Sequence, residues 1–140
     1  MKTLLLLLGL FGLPALAVGQ EGRPLLQTVA EETRAQWQRQ DAVGLVARSP
    51  QLLIQLPGAD PSAPVGRRQA SELLRDFFSH AEEVETLLNG AREVGGGWGL
   101  VELRRRYRIS GTQEVREQLL LLSYRTSGKQ WTLVELRMGR

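Results

Sequence analysis

The chain has 140 residues, with 18 Lys and Arg against 15 Asp and Glu and no cysteine. That length holds one domain rather than two, and the missing cysteine excludes disulfides and thiol chemistry. A formal charge of +3 is too small to argue for nucleic acid or a membrane surface as a partner. Nearly all the cations are arginine, and that bias carries no mechanistic weight.

The N-terminus starts Met1-Lys2-Thr3, runs apolar from Leu4 to Leu13, breaks at Pro14 and continues Ala15-Leu16-Ala17. A basic start, a short apolar core and a small-x-small site predict a secretory signal peptide over 1–19, cut after Ala17 or Gly19. A membrane span needs about 20 apolar residues, and this run is shorter and interrupted by Gly and Pro. The expected mature unit is a single soluble domain over 20–140, secreted or periplasmic, with no membrane attachment after cleavage. Without cysteine it carries no cysteine-linked lipid anchor. Losing Lys2 lowers the formal charge by one, to +2.

From Pro24 to Gln40 the pattern is helical: Leu26, Val29, Thr33 and Trp37 recur at three- and four-residue spacings,. Pro24 suits the first helical turn. Asp41 is placed as the N-cap of a short helix through Ala42, Val43, Leu45 and Val46, ended by Ser49-Pro50,. Gln51 to Leu56 is a short strand. The loop Pro57 to Gly66 holds three prolines and two glycines and excludes regular structure. Gly66 to Phe78 is an amphipathic helix with Ala70, Leu73, Leu74, Phe77 and Phe78 on one stripe, extended by Ala81,.

The rest alternates. Val84 to Val94 is a weak strand, turned back by Gly95-Gly96-Gly97. Trp98 to Ile109 is a long strand, Glu114 to Thr126 another, and Gln130 to Met138 the last, after a Ser127-Gly128 turn,. By period two, Val101, Leu103, Arg105, Tyr107 and Ile109 share one face of the long strand. Leu119 to Leu122 are apolar on both faces of the next. In the last strand, Thr132, Val134, Leu136 and Met138 take one face and Trp131, Leu133, Glu135 and Arg137 the other. The class is α+β. Helices cover one side of such a sheet, so the other apolar side needs a cover, most simply a second copy. The expected homodimer interface is Leu119, Leu121, Trp131, Leu133, Glu135 and Arg137.

The order of elements resembles the nuclear-transport-factor-2-like fold, part of the cystatin-like α+β cones, and within it a group of small exported bacterial proteins of unknown function. Four segments carry the likeness: Gln40-Asp41-Ala42-Val43-Gly44-Leu45, Leu53-Ile54-Gln55-Leu56-Pro57-Gly58, Arg68 to Phe78, and Trp131 to Arg137. The resemblance implies N-terminal helices and one central helix packed in a curved antiparallel sheet, a cone-shaped half-barrel with a pocket at its open end. Enzymes of that fold, such as the ketosteroid isomerases and scytalone dehydratase, place Asp, His or Tyr in the pocket. A carboxylate there abstracts a proton beside a carbonyl.

This chain supplies few such groups. Asp76 lies about 130° from the centre of the helix stripe and faces water. His80, the one histidine, sits at the stripe's edge near the helix end, where capping competes with a ligand role. Arg105 is a charge on an apolar strand face beside Tyr107. Either both line the pocket and hold an acidic or carbonyl ligand, or Arg105 lies beyond the core edge or is moved out by a bulge. Glu135 and Arg137 read first as an ion pair. The ligand-binding candidates are therefore Arg105, Tyr107 and His80, with no catalytic residue assigned.

Other signals are missing. Gly95-Gly96-Gly97-Trp98-Gly99 joins strands and opens no helix toward a phosphate. One histidine and no cysteine leave no transition-metal cluster. Arg104 to Arg108 splits its charges between strand faces and has no interleaved aromatic except Tyr107, against nucleic acid. The expectation is a non-enzymatic exported domain, without cofactor or metal, that binds a small ligand or partner through a cone pocket or a sheet face, probed first as a homodimer. The alternative is a small lyase or isomerase of the ketosteroid-isomerase type, which needs a buried acid or His80 within reach of Arg105 and Tyr107.

Overall fold

The structure is a computed structural model that describes residues 22–60 and 63–139; the expected signal peptide, 1–19, lies outside them. Helix α1 (Leu26–Gln38) buries Leu26, Val29, Ala30, Thr33 and Trp37, the predicted stripe. It begins two residues after Pro24, whose carbonyl instead accepts a hydrogen bond from the Trp131 indole at 3.1 Å. The helix ends in a Schellman arrangement: the Gln40 amide donates to Trp37 and the Asp41 amide to Gln36,. Gln40 sits at φ 56°, a left-handed position that usually falls to glycine. Its side-chain amide donates to the carbonyls of Ala81 at 2.7 Å and Phe78 at 3.3 Å, which fastens the helix end to the following layer.

Asp41 caps α2 (Ala42–Val46) as expected, accepting from the Gly44 amide at 2.9 Å. Strand β1 (Gln51–Gln55) and the two-residue β2 (Val65–Gly66) precede α3 (Arg67–Phe78). In α3, Ala70, Leu74 and Phe78 are buried, while Leu73 and Phe77 pack against the core half-buried. Strands β3 (Ala81–Gly95), β4 (Trp98–Ile109), β5 (Val115–Ser127) and β6 (Gln130–Met138) follow as long hairpins.

The six strands form one curved, unclosed sheet in the order β2-β1-β6-β5-β4-β3. It is not purely antiparallel: β1 runs parallel to β6, with Ile54 opposite Leu136. A parallel pair needs a long crossover, and everything from α3 to β5 supplies it. The helices fill the concave side, where Val101, Leu103, Leu120, Leu122 and Tyr124 meet Trp37, Leu74 and Phe78.

Two strands depart from simple alternation, and both departures matter. The β3–β4 register slips between Glu83 and Glu85, between Leu88 and Gly90, and between Glu93 and Gly95. Each slip leaves an extra residue on β3 and bends it. Inward positions on β3 therefore fall at Glu83, Thr86, Leu88 and Ala91, opposite Tyr107, Arg105, Leu103 and Val101. Their spacing of three, two and three hides a 15-residue strand as a weak one. In β6 the register slips once, between Ser123 and Tyr124, so Glu135 pairs with Ser123 but Leu133 with Tyr124. Val134 is the extra residue. It moves Trp131 and Leu133 to the inner face, where both are buried. The expected grouping of these two with Glu135 and Arg137 is corrected: they belong to the chain's own core, leaving Leu119, Leu121, Glu135 and Arg137 on the outside.

Candidate functional site

The concave side carries a charge at its centre. Arg105 projects inward from β4 and its side chain is 0% exposed. Its guanidinium pairs with the carboxylate of Glu83 on β3, which is 1% exposed. The carbon at the centre of the guanidinium lies 4.1 Å from the Tyr107 ring centre, 5.2 Å from Phe77 and 5.5 Å from Trp37. Cation–π attraction of this kind strengthens when water is removed. Trp37 in turn meets Phe78 edge-on at 4.9 Å. Gln118 on β5 accepts from Arg105 Nη1 at 3.3 Å and donates to the Gly139 carbonyl at 3.0 Å. Thr86 donates its hydroxyl to Glu83 at 3.3 Å. Its backbone is fixed by α1, its amide donating to Gln38 at 2.6 Å and its carbonyl accepting from Arg34 at 3.3 Å.

Burial pushes the Glu83 carboxyl above its ordinary value, against the opposing pull of Arg105, Thr86 and Trp37,. The same burial lowers the Arg105 guanidinium, against the pull of Glu83. Of the two readings of Arg105, the inward one describes the structure, but the arginine is packed against its own chain rather than presented to an open space. Tyr107 lies beside it, half-buried. His80 does not join them. It is exposed at the end of α3, where its Nδ1 makes a 2.8 Å hydrogen bond with the Asp76 carbonyl and lies 3.3 Å from the Ser79 hydroxyl.

Glu83 is the residue that period-two reading misses. Three positions before Thr86, it alternates to the opposite face unless Val84 is a bulge. The run Glu82-Glu83-Val84-Glu85 carries no local mark of that bulge.

The outer face has a different character. Toward one end, cross-strand ion pairs join Arg104 to Glu117, Arg106 to Glu85 and Arg108 to Glu82. Toward the other lies a half-open cleft of about 600 Å³. It runs across β3, β4, β5 and β6, with Leu100 and Leu121 on its floor, Arg92 and Glu102 on one side, and the Glu135–Arg137 ion pair on the other. A second, smaller cleft of about 130 Å³ lies between α1, α2 and the far ends of β5 and β6, where the Thr33 and Tyr124 hydroxyls meet at 2.6 Å. Neither cleft is lined by Glu83, Arg105, Tyr107 or His80. Among the described residues no cluster of three or more His, Asp or Glu side chains is placed to hold a metal ion.

No protein-family model matches the sequence, and no curated protein matches it. Solved structures do. A ketosteroid isomerase-like protein from Erwinia carotovora atroseptica is 14% identical, covering 81% of this chain and 91% of its own, with a TM-score of 0.66. A domain of unknown function with a cystatin-like fold from Nostoc punctiforme is 17% identical over 81% of this chain and 73% of its own, at 0.63. An LEH-like epoxide hydrolase of M. tuberculosis is 16% identical over 81% and 79%, at 0.58. The fold is therefore the ketosteroid-isomerase-like, cystatin-like cone that the order of elements implied. At such identities the likeness extends to the fold alone.

Proposed function

We propose that this chain is an exported, non-enzymatic binding domain that holds a small ligand in the cleft on the outer face of its sheet. The contrast between the two faces carries this reading. Inside the cone, where a pocket is expected, the space between α1, α3 and the sheet is occupied by Arg105 and the aromatic rings around it. Outside, a cleft of about 600 Å³ falls in the range of small-ligand sites. The test is fluorescence of the neutral apolar dye N-phenylnaphthylamine. The dye brightens on saturable binding to the purified domain, and Gly90→Leu, which places a side chain in the cleft, abolishes the response at unchanged circular dichroism. Equal brightening in the variant overturns the proposal.

The exposed leucines favour a second occupant. Leu87, Leu119 and Leu121 are 47%, 40% and 50% exposed, and a second copy seated there would cover them. Light scattering at micromolar concentration decides: twice the monomer mass, returned to one by Leu121→Arg, supports the homodimer, and a clean monomer ends it.

The isomerase alternative draws on Glu83, a buried acid raised by desolvation beside Arg105. A general base must come within about 3 Å of the proton it takes, directly or through one water. Glu83 is turned to Arg105 and shielded from solvent, which weighs against that role.

A further inference from the structure

The outer cleft has a built-in vacancy at Gly90. Glycine weakens a strand interior and often marks a close approach by something else. Here it follows directly on a bulge, and a Cβ added at Gly90 meets nothing within 4 Å. No positive φ explains this glycine, since it is not among those with one.

Beside the vacancy stand two opposite charges without partners. The Arg92 side chain, two residues along the same face, and the Glu102 side chain, directly opposite Gly90, make no ion pair or side-chain hydrogen bond among the described residues, whereas Glu135 and Arg137 satisfy each other. Arg92 pairs in register with Leu100, so Arg92 and Glu102 are diagonal neighbours, roughly 7–8 Å apart at their Cα atoms. Leu100, opposite Arg92, and Leu121, opposite Glu102, continue the floor away from the charges. The trough extends over four strands, roughly 14 Å at the usual strand spacing.

We infer that the cleft takes a short apolar peptide in zwitterionic form, with its carboxylate on Arg92, its ammonium on Glu102 and its side chains over Leu100 and Leu121. This rests on the outer-face reading above and adds the ligand class. The lining charges sum to zero, which disfavours a net anion or cation and suits a molecule carrying one of each. The ends of an extended dipeptide are roughly 7 Å apart, a span that two flexible side chains on neighbouring strands can bracket.

Titration calorimetry with leucyl-phenylalanine, its N-acetyl form and its C-terminal amide tests the inference on the mature chain. The free dipeptide binds at one site. Blocking either end weakens it about tenfold, the loss of one charge-assisted contact. Arg92→Gln removes the difference between the free acid and the amide, Glu102→Gln removes the difference between the free amine and the acetyl form, and Gly90→Leu removes binding. Equal affinity of all three ligands, or no binding of any, overturns the zwitterion. If N-phenylnaphthylamine still binds the wild type and not Gly90→Leu in that case, the cleft stands and only the ligand class falls; if the dye also fails, both fall.

Discussion

A single buried arginine shapes the interior. Removing water from a guanidinium and a carboxylate costs several kcal/mol each, and their attraction repays it only with good geometry. The three rings and Gln118 around Arg105 supply part of what water would have given. Cutting one partner is then worse than cutting both. Arg105→Met leaves Glu83 buried beside apolar groups and costs about 3–5 kcal/mol in urea unfolding, while the double substitution with Glu83→Leu recovers most of that loss. If both variants lose the same amount, the pair does not act as a unit. The direction of the Glu83 shift fixes the pH trend. Its folded carboxyl lies above the ordinary 4.5, so the native state holds the proton more tightly than the unfolded chain. The contribution is fully present below about 4.5 and is lost as pH rises through the folded value. Unfolding of the wild type and Glu83→Gln across that window checks it: relative stability of the wild type falls with rising pH, and a rise contradicts the sign.

At the level of elements, the helices and hairpins were legible in the chain, and the bulges were not. The stripe from Leu26 to Trp37, the Asp41 cap and the bounds Trp98–Ile109 and Gln130–Met138 follow from spacing and turn chemistry, because each is decided by neighbours within one element. The pairing of β1 with β6 and the inward turn of Trp131 and Leu133 are decided by contacts far along the chain, and a lone extra residue such as Val134 leaves no local mark. For the same reason Glu83 was hidden while Arg105 and Tyr107 were visible. Val134 provides the test. Deleting it removes the extra position and leaves Glu135 opposite Ser123 and Leu133 opposite Tyr124, so Trp131, Leu133, Leu136 and Met138 all keep their inward face. Thermal unfolding of the deletion variant is therefore expected to give a melting temperature within a few degrees of the wild type, and loss of the cooperative transition contradicts the assignment of Val134 as the extra residue.

For the molecule as a whole, the proposals concern where it works and through which side. Intact-mass measurement after expression in a bacterium with its leader should find the chain outside the cytoplasm, starting at Val18 or Gln20; an uncut Met1 terminus would count against export. The outer-face proposal in turn requires that the concave side stay filled when a ligand binds. Solvent-exchange protection of the Thr86 and Arg105 amides is therefore expected to remain unchanged in saturating leucyl-phenylalanine, whereas entry of the peptide into the cone would alter it.

The position of the last strand has a consequence for how the protein is made. β6 lies between β1 and β5, so the first and last strands of the sheet in chain order are held side by side. Until Gln130 to Met138 emerge, β1 has only the two-residue β2 to pair with, and long-range closure of this kind is slow. A nascent chain stalled before Gln130 should leave β1 open to protease while the β3–β4 hairpin is already protected. The fold thus delays its own completion until β6 has been made, which is the condition in which a polypeptide can still be threaded through a narrow channel.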